Sequence, residues 1–127
     1  MSTPLHVLIV EDSEDDALLL ERVLRRGGYD VTAERVCTAE AMQAALQNRA
    51  WDVVISDHSM PQFSSTGALT LLQGRWLDLP FIIVSGCIGE EVAVAAMKAG
   101  ANDYILKSNL TRLVPAVERE LREAENR

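Results

Sequence analysis

Four stretches of the sequence, each apolar in its interior, end in residues able to do chemistry. These residues are the carboxylates Glu11, Asp12 and Asp57, the hydroxyl of Ser85 and the ammonium of Lys107. The short apolar runs before them predict buried strands of a parallel sheet. Because the carboxyl ends of parallel strands share one edge, and ligands bind at that edge in open α/β sheets, we expect these groups to meet there. Asp57 is therefore a candidate for chemistry rather than for packing.

Three ionised carboxylates in one place need a compensating charge. At an effective dielectric constant near 20, two of them about 4 Å apart repel each other by about 4 kcal/mol. A divalent cation removes that cost, and an all-oxygen ligand set favours Mg²⁺ or Mn²⁺ over zinc. The cation and Lys107 would neutralise a phosphoryl group at Asp57, while the hydroxyl of Ser85 would bind one of its oxygens. Asp57 is therefore predicted to be a nucleophile that forms an acyl phosphate.

Five strands alternating with five helices are predicted to position these groups. The strands are expected at Leu5–Val10, at Tyr29–Val36, up to Asp57, at Leu79–Ser85 and at Asp103–Lys107. The helices are expected from a Ser13 cap to Gly27, from a Thr38 cap to about Asn48, around Ala68–Leu72, at Glu90–Ala99 and from about Arg112. Such alternation predicts an α/β fold with a parallel sheet and helices on both faces.

The composition excludes some classes of function. At 127 residues the chain is expected to form one domain, and its net charge of −7 argues against binding nucleic acid through a basic surface. Neither a signal peptide nor a membrane-spanning run is evident, which favours a cytoplasmic location. Cys37 and Cys87 fit no metal-binding spacing and are expected to be free, buried thiols in a reducing compartment.

The motifs resemble those of the receiver domain of two-component response regulators. V-E-D ends the first strand, S-D-x-x-M-P surrounds Asp57, V-S-G contains Ser85 and D-Y-I-L-K ends at Lys107. The resemblance extends from about residue 5 to residue 123, so residues 1–127 are expected to form a single receiver domain of the stand-alone type. It implies a flavodoxin-like sheet with the strand order 2-1-3-4-5.

The resemblance also implies a role for each site residue. Asp57 would accept a phosphoryl group from a phosphohistidine of a sensor histidine kinase or a histidine phosphotransfer protein, as a switch rather than as an enzyme. Asp12 and Asp57 would ligate Mg²⁺ directly, Glu11 would do so through water, and Ser59 would use its backbone carbonyl. Lys107 would contact the phosphoryl group.

Ser85 and Tyr104 match the switch pair of this family. Ser85 would move toward the phosphate and Tyr104 would turn inward into the vacated space, a population shift between two packings. The surface of the fourth helix, the fifth strand and the fifth helix would report this shift to a downstream protein. Dimerisation through the last helices is left open.

The sequence departs from the family pattern after Lys107, where Ser108 replaces the usual proline. A cis bond before a residue other than proline costs about 2.5–4 kcal/mol, so we predict a trans Lys107–Ser108 bond and a reshaped loop. The usual glycine after M-P also arrives late, at Gly67. In the family the positions of Ser59 and Cys87 tune the lifetime of the phosphate.

Two other functions are left open. A receiver-like module could bind partners without phosphorylation, and Ser108 keeps this alternative alive. An aspartyl-phosphate phosphatase would usually have a second aspartate two residues after the nucleophile, where this sequence has Ser59. A flavin carrier is disfavoured because E-D-S-E-D-D would repel a bare phosphate.

Several acidic and histidine residues are given structural interpretations. The acids Glu14, Asp15 and Asp16 are expected only to start the first helix. Asp52 and Asp103 precede strands and are interpreted as structural. His6 and His58 are not expected to be ligands, since strand alternation should point His58 away from Asp57.

Overall fold

The computed structural model describes residues 2–58, 63–74, 79–86 and 89–126, and within them five strands alternate with five α-helices. The strands are β1 (Thr3–Val10), β2 (Tyr29–Val36), β3 (Val53–Asp57), β4 (Phe81–Ser85) and β5 (Asp103–Leu106). The helices are α1 (Glu14–Arg26), α2 (Ala39–Asn48), α3 (Ser65–Gly74), α4 (Glu90–Ala99) and α5 (Leu113–Glu125). A 3₁₀ helix at Lys107–Arg112 joins β5 to α5.

All five strands form one parallel sheet in the order β2-β1-β3-β4-β5. The predicted strand order and the flavodoxin-like α/β class are therefore confirmed. β3 lies at the centre, and every one of its residues is buried. The register pairs Asp57 with Val84 and Ser85 with Leu106, so the carboxyl ends of β3, β4 and β5 are aligned.

Strand side chains alternate between two apolar cores, one on each side of the sheet. Ile55 and Ile105 belong to the core packed against α1 and α5, which we call the α1/α5 face. Val54 and Tyr104 belong to the core packed against α2, α3 and α4, which we call the α3/α4 face. Because successive strand residues point to opposite sides, Asp57 follows Ile55 on the α1/α5 face.

Hydrogen bonds at the helix ends fix the helices that surround the site. The Oγ of Ser13 accepts the backbone N–H of Asp16 at 3.2 Å and so caps α1. The Oγ1 of Thr38 accepts the backbone N–H of Ala41 at 3.1 Å and caps α2. Both caps are as predicted. Gly100 ends α4 with φ of 118°, a left-handed conformation that glycine adopts without a side-chain clash.

The strand boundaries differ from the sequence pattern at several ends. β1 begins at Thr3, before the apolar run, because its pairing with Tyr29 of β2 extends that far. β4 begins at Phe81, after Pro80 rather than at Leu79. β5 ends at Leu106, and Lys107 already belongs to the 3₁₀ helix instead of the strand.

Two predictions about the rest of the chain are only partly tested. Cys37 is a free thiol, but it is half-buried rather than fully buried as expected, and Cys87 lies outside the described residues. Much of the loop that follows Asp57 also lies outside them. Within the described part of the chain, the longest and most apolar helices still fall short of what a membrane span needs.

Candidate functional site

Three strand ends position the acidic and basic groups of the site. Asp57 is the last residue of β3, Glu11 directly follows β1 and Lys107 directly follows β5. The backbone N–H of Glu11 donates to the carbonyl of Val36 at 2.9 Å, which holds it against the end of β2. Its side-chain Oε1 accepts the backbone N–H of Ser13 at 3.1 Å. The sheet edge and the cap of α1 are therefore joined through Glu11.

The three predicted carboxylates lie close together. One ligand oxygen from each of Glu11, Asp12 and Asp57 lies within 4.8 Å of the others. Glu11 and Asp57 are 1% and 8% exposed, whereas Asp12 faces solvent. Carboxylate oxygens are the ligands that hard divalent cations prefer. Because one of the three acids is exposed, a cation bound here would keep part of its water shell. The residues present therefore fit a divalent metal ion.

Lys107 brings a positive charge into the same pocket. Its Nζ lies 2.7 Å from Oδ2 of Asp16, 3.0 Å from Oε2 of Glu11 and 3.6 Å from Oδ1 of Asp57. The Lys107–Ser108 peptide bond is trans, as predicted, since the described residues contain no cis peptide bond. The replacement of the usual proline by Ser108 therefore leaves the ammonium close to Asp57.

The charges in this pocket change the protonation of their neighbours. Burial raises the pKa of Glu11 from 4.5 to about 7, and the charge of Asp57 adds to this effect, while Lys107 and the Ser13 N–H oppose it. Burial alone would lower the pKa of Lys107, but hydrogen bonds to Asp16 and Glu11 outweigh burial and raise it. Lys107 is therefore charged at neutral pH, whereas Glu11 exchanges its proton in that range.

Asp16 belongs to this pocket, although it is predicted above only to start a helix. That prediction is wrong, because the carboxylate of Asp16 lies closer to the ammonium of Lys107 than those of Glu11 and Asp57 do. The first turn of α1 lies beside the carboxyl edge of the sheet, so an acid in that turn reaches the lysine that follows β5. The sequence position of Asp16 could have revealed this contact, because the helix that follows β1 must start at the carboxyl edge of the sheet.

The predicted switch residues lie on neighbouring strands. Ser85 ends β4 and is 3% exposed, and Tyr104 lies within β5 and is 7% exposed. The ring of Tyr104 lies 6.1 Å from that of His58, centroid to centroid. Its hydroxyl is buried and has no hydrogen-bond partner among the described residues. The ring is therefore turned into the molecule.

A cavity of about 290 Å³ lies on the α3/α4 face. Side chains of α3 and α4, such as Leu69 and Val92, line it together with His58. The Nδ1 of His58 lies 2.8 Å from the Oγ of Ser65. His58 thus contacts α3, on the side of the sheet opposite Asp57, as strand alternation predicts.

The remaining predicted residues lie away from the pocket or outside the described residues. Ser59, expected to offer its carbonyl to the metal ion, lies outside them. The backbone N–H of His6 donates to Oδ2 of Asp52 at 2.8 Å, which fits a structural role. Asp103 accepts the backbone N–H of Tyr104 at 2.7 Å, which is likewise structural.

Comparisons with known proteins agree with this fold and pocket. A family model described as the response regulator receiver domain matches residues 7–118. Transcriptional regulatory protein PrrA of Mycobacterium tuberculosis is 37% identical over 117 residues, which cover 91% of this chain and 49% of PrrA. The chain therefore spans about half the length of this curated relative.

Solved structures have a similar fold. The crystal structure of FixJ-N is 32% identical, with a TM-score of 0.79 over 93% of this chain and 94% of that one. Full-length FixJ from B. japonicum is 26% identical, with a TM-score of 0.77 over 98% of this chain and 63% of that one. The fold, the acidic pocket and the family match agree, and the chain belongs to the response regulator receiver domain family.

Proposed function

We propose that this receiver domain accepts a phosphoryl group on Asp57 from the phosphohistidine of a sensor histidine kinase or a histidine phosphotransfer protein. The observation that carries the proposal is the convergence of distant residues on one buried carboxylate. Asp57 is 8% exposed, shares a site with Glu11 and Asp12, and lies 3.6 Å from the ammonium of Lys107. A buried aspartate between an acidic cluster and a lysine is suited to receive a dianionic group once a cation is present.

In the proposed reaction, a carboxylate oxygen of Asp57 attacks the phosphorus atom of the partner's phosphohistidine. A P–O bond forms as the P–N bond breaks, and the imidazole leaves with the electron pair of the broken bond. The product on this chain is an aspartyl phosphate, an acyl phosphate. Lys107 neutralises part of the negative charge on the phosphoryl oxygens, and the hydroxyl of Ser85 donates a hydrogen bond to one of them.

The metal ion is proposed to be Mg²⁺, with Mn²⁺ as a substitute. Asp12 and Asp57 would ligate it directly, Glu11 through water, and Ser59 through its backbone carbonyl. When bound, the cation supplies positive charge to the transferring phosphoryl oxygens. The protein contributes the deprotonated carboxylates and holds their oxygens in place. Because the pKa of Glu11 lies near 7, binding of the cation should release a proton at neutral pH.

Phosphorylation is proposed to change the packing of the sheet edge rather than to start a catalytic cycle on an outside substrate. Ser85 moves toward the phosphoryl group and vacates space, and this shifts the population of Tyr104 toward the inward position, which the ring already occupies here. The surface of α4, β5 and α5 then presents a different shape to a downstream protein. We place this signalling in the cytoplasm, where kinase phosphohistidines are formed, and a homodimer through the same surface is an additional proposal.

An intact-mass measurement tests the proposal directly. The protein is incubated with Mg²⁺ and acetyl phosphate, and the expected result is the added mass of one phosphoryl group. Asp57→Asn should abolish the adduct, because the amide is no longer a competent nucleophile. Asp30→Asn removes an exposed acid at the start of β2, at the opposite edge of the sheet, and should leave the adduct unchanged.

Three results would contradict the proposal. An adduct that persists in Asp57→Asn would place the phosphoryl group elsewhere. The absence of any adduct, with acetyl phosphate or with a phosphorylated kinase, would favour a module that binds partners without phosphorylation. Steady release of phosphate over many turnovers would favour an aspartyl-phosphate phosphatase.

A further inference from the structure

Asp16 contacts the site from outside the group of carboxylates that could hold a metal ion. Among the residues that the structure describes, the Nζ of Lys107 contacts the carboxylates of Asp16, Glu11 and Asp57. Glu11 and Asp57 belong to the three-carboxylate cluster, and Asp16 does not. The two kinds of neighbour will therefore respond differently when a cation is bound.

The start of α1 holds Asp16 in a defined place. Its backbone N–H donates to the Oγ of Ser13 at 3.2 Å, and the N–H of Ser13 donates to Oε1 of Glu11 at 3.1 Å. The other oxygen of Glu11, Oε2, accepts from Lys107. Asp16 and Glu11 are thus linked through the helix cap and contact the same ammonium. The helix cap therefore places the backbone of Asp16, and its carboxylate, which is 41% exposed, is paired with the ammonium of Lys107.

A metal ion would alter the contacts of Lys107. A cation bound by Glu11 and Asp57 would neutralise much of the negative charge that now attracts the ammonium. It would also repel the ammonium directly. Lys107 is also a flexible side chain that must be held in one conformation to act on a phosphoryl group. Asp16 lies 2.7 Å from Nζ and is outside the group that would bind the cation, so its charge-assisted hydrogen bond to Lys107 would remain.

We propose that Asp16 is a positioning residue, whose carboxylate holds the ammonium of Lys107 beside Asp57 when Glu11 and Asp57 are committed to a divalent cation. This inference rests on the proposed phosphorylation of Asp57. Asp16 touches neither the phosphoryl group nor the metal ion in this scheme, and it acts through Lys107 alone.

The first test measures the rate of Asp57 phosphorylation by acetyl phosphate at saturating Mg²⁺. Loss of a supporting partner at a metal site typically costs 10–100-fold, so we expect Asp16→Asn to slow the reaction by about 10-fold. Asp16→Glu, which keeps a carboxylate, should recover part of the rate. Asp15→Asn is the matched control, since Asp15 is exposed in the same helical turn, and it should react like the unaltered protein.

A second test measures the reactivity of the lysine itself and needs no phosphorylation. The chain has two lysines, Lys98 and Lys107, so limited acylation with an amine-reactive ester can be followed at each by peptide mass. With Mg²⁺ present, Asp16→Asn should speed the acylation of Lys107 several-fold relative to that of the exposed Lys98, because the ammonium is released. Asp15→Asn should leave the ratio unchanged.

The two tests separate failure of this inference from failure of the proposed function. If no variant is phosphorylated but Asp16→Asn still releases Lys107, the positioning contact stands and the phosphoacceptor proposal fails. An unchanged lysine ratio in Asp16→Asn would overturn the inference. So would a faster phosphorylation of Asp16→Asn, which would make Asp16 a competitor for the lysine. A rate loss of the same size when Lys107 is already replaced by Met would also overturn it, because Asp16 would then act by another route.

Discussion

The two sides of the sheet differ sharply at the edge where the site lies. On the α1/α5 face, the ammonium of Lys107 is within 3.6 Å of three carboxylates, and a side-chain cap joins this cluster to α1. On the α3/α4 face, the hydroxyl of Tyr104 is buried without a partner among the described residues, and a separate cavity of about 290 Å³ is lined by His58 and by side chains of α3 and α4. One side is held by paired charges, whereas the other has a cavity and a buried hydroxyl that no described residue satisfies.

Helices α1 and α4 show the same contrast. α1 buries Ala17, Leu20 and Leu24 and has the side-chain cap from Ser13. α4 starts after Gly89, which offers no side-chain cap, and none of its described side chains is buried. Segments with few buried apolar contacts are the ones that open or shift most readily. The charge chemistry is thus held on the rigid face, and the repacking proposed for signalling falls on the loosely packed face.

The largest expected effect compares a side chain of α5 with one of α4. Leu113 of α5 is fully buried, so Leu113→Ala should lower the free energy of unfolding by about 2–5 kcal/mol. Val94 of α4 is 53% exposed, and Val94→Ala should change it by less than about 0.5 kcal/mol. Urea denaturation measures both variants. Equal losses would show that α4 is packed as firmly as α5, and the two faces would then not differ in packing.

The next effect is a pH dependence that arises from Glu11. Its pKa is about 7 in the folded protein and 4.5 without the fold, so between these values the folded state binds more protons than the unfolded state. The free energy of unfolding of the metal-free protein should therefore fall as the pH rises from 4.5 to 7, by at most about 3 kcal/mol from this group. Urea denaturation at a series of pH values in a chelator measures the slope.

Glu11→Gln removes the titrating group and should remove that part of the slope. Glu14→Gln, at an exposed position in the first turn of α1, is the matched control and should keep it. If the stability of Glu11→Gln depends on pH in the same way as that of the unaltered protein, then Glu11 is not the source of the slope. The charge of Glu11 would then be better balanced by its neighbours than the geometry indicates.

A smaller effect is expected where α4 ends. The φ of 118° at Gly100 lies in a region that alanine adopts only with strain, so Gly100→Ala should cost about 1–2 kcal/mol. The added Cβ would also lie 2.6 Å from Nε2 of Gln73, whose side chain bonds the Ala99 carbonyl at 2.8 Å and links α3 to α4. Thermal or urea unfolding measures the loss. Gly74→Ala, whose added Cβ would meet no described residue within 4 Å, should not be destabilising.

The smallest expected effect is a gain in stability. Tyr104→Phe deletes a buried hydroxyl that has no partner in the part of the chain that the structure describes, and this should raise the free energy of unfolding by about 1 kcal/mol. Tyr29→Phe is the control, because the hydroxyl of Tyr29 is not among the buried unpartnered atoms, and its stability should change little. A loss of stability in Tyr104→Phe would mean that the hydroxyl has a hydrogen-bond partner, and this difference between the two faces would then disappear.

Much of the fold could be predicted because local patterns specify it. The caps at Ser13 and Thr38, the end of α4 at Gly100 and the strand that ends at Asp57 depend on residues near one another in the chain. The meeting of Glu11, Asp12, Asp57 and Lys107 was also predictable, since parallel strands end at one edge. Individual strand ends were less certain, as Lys107 shows, because pairing partners and turns decide where a strand stops.

The burial of Glu120 shows the limit of local patterns. Helical spacing predicts an inward face of α5 through Leu113, Val117, Leu121 and Ala124. Glu120, however, is 3% exposed, and both Leu121 and Ala124 are only half-buried. Burial also raises the pKa of Glu120, with a further contribution from Glu123. The rotation of α5 against the sheet decides this, and no local signal in the helix specifies that rotation.

The sequence by itself determined the order of the elements, their two-sided burial and the edge at which the acids, the hydroxyl and the lysine collect. These properties follow from hydrophobic periodicity and from the geometry of parallel strands. Only the tertiary structure decided that Asp16 is the closest partner of Lys107, that Glu11 is buried enough to hold its proton near neutral pH, and that the hydroxyl of Tyr104 has no partner among the described residues. Periodicity specifies which side of an element faces inward, whereas the pairing of individual atoms depends on how distant elements are docked.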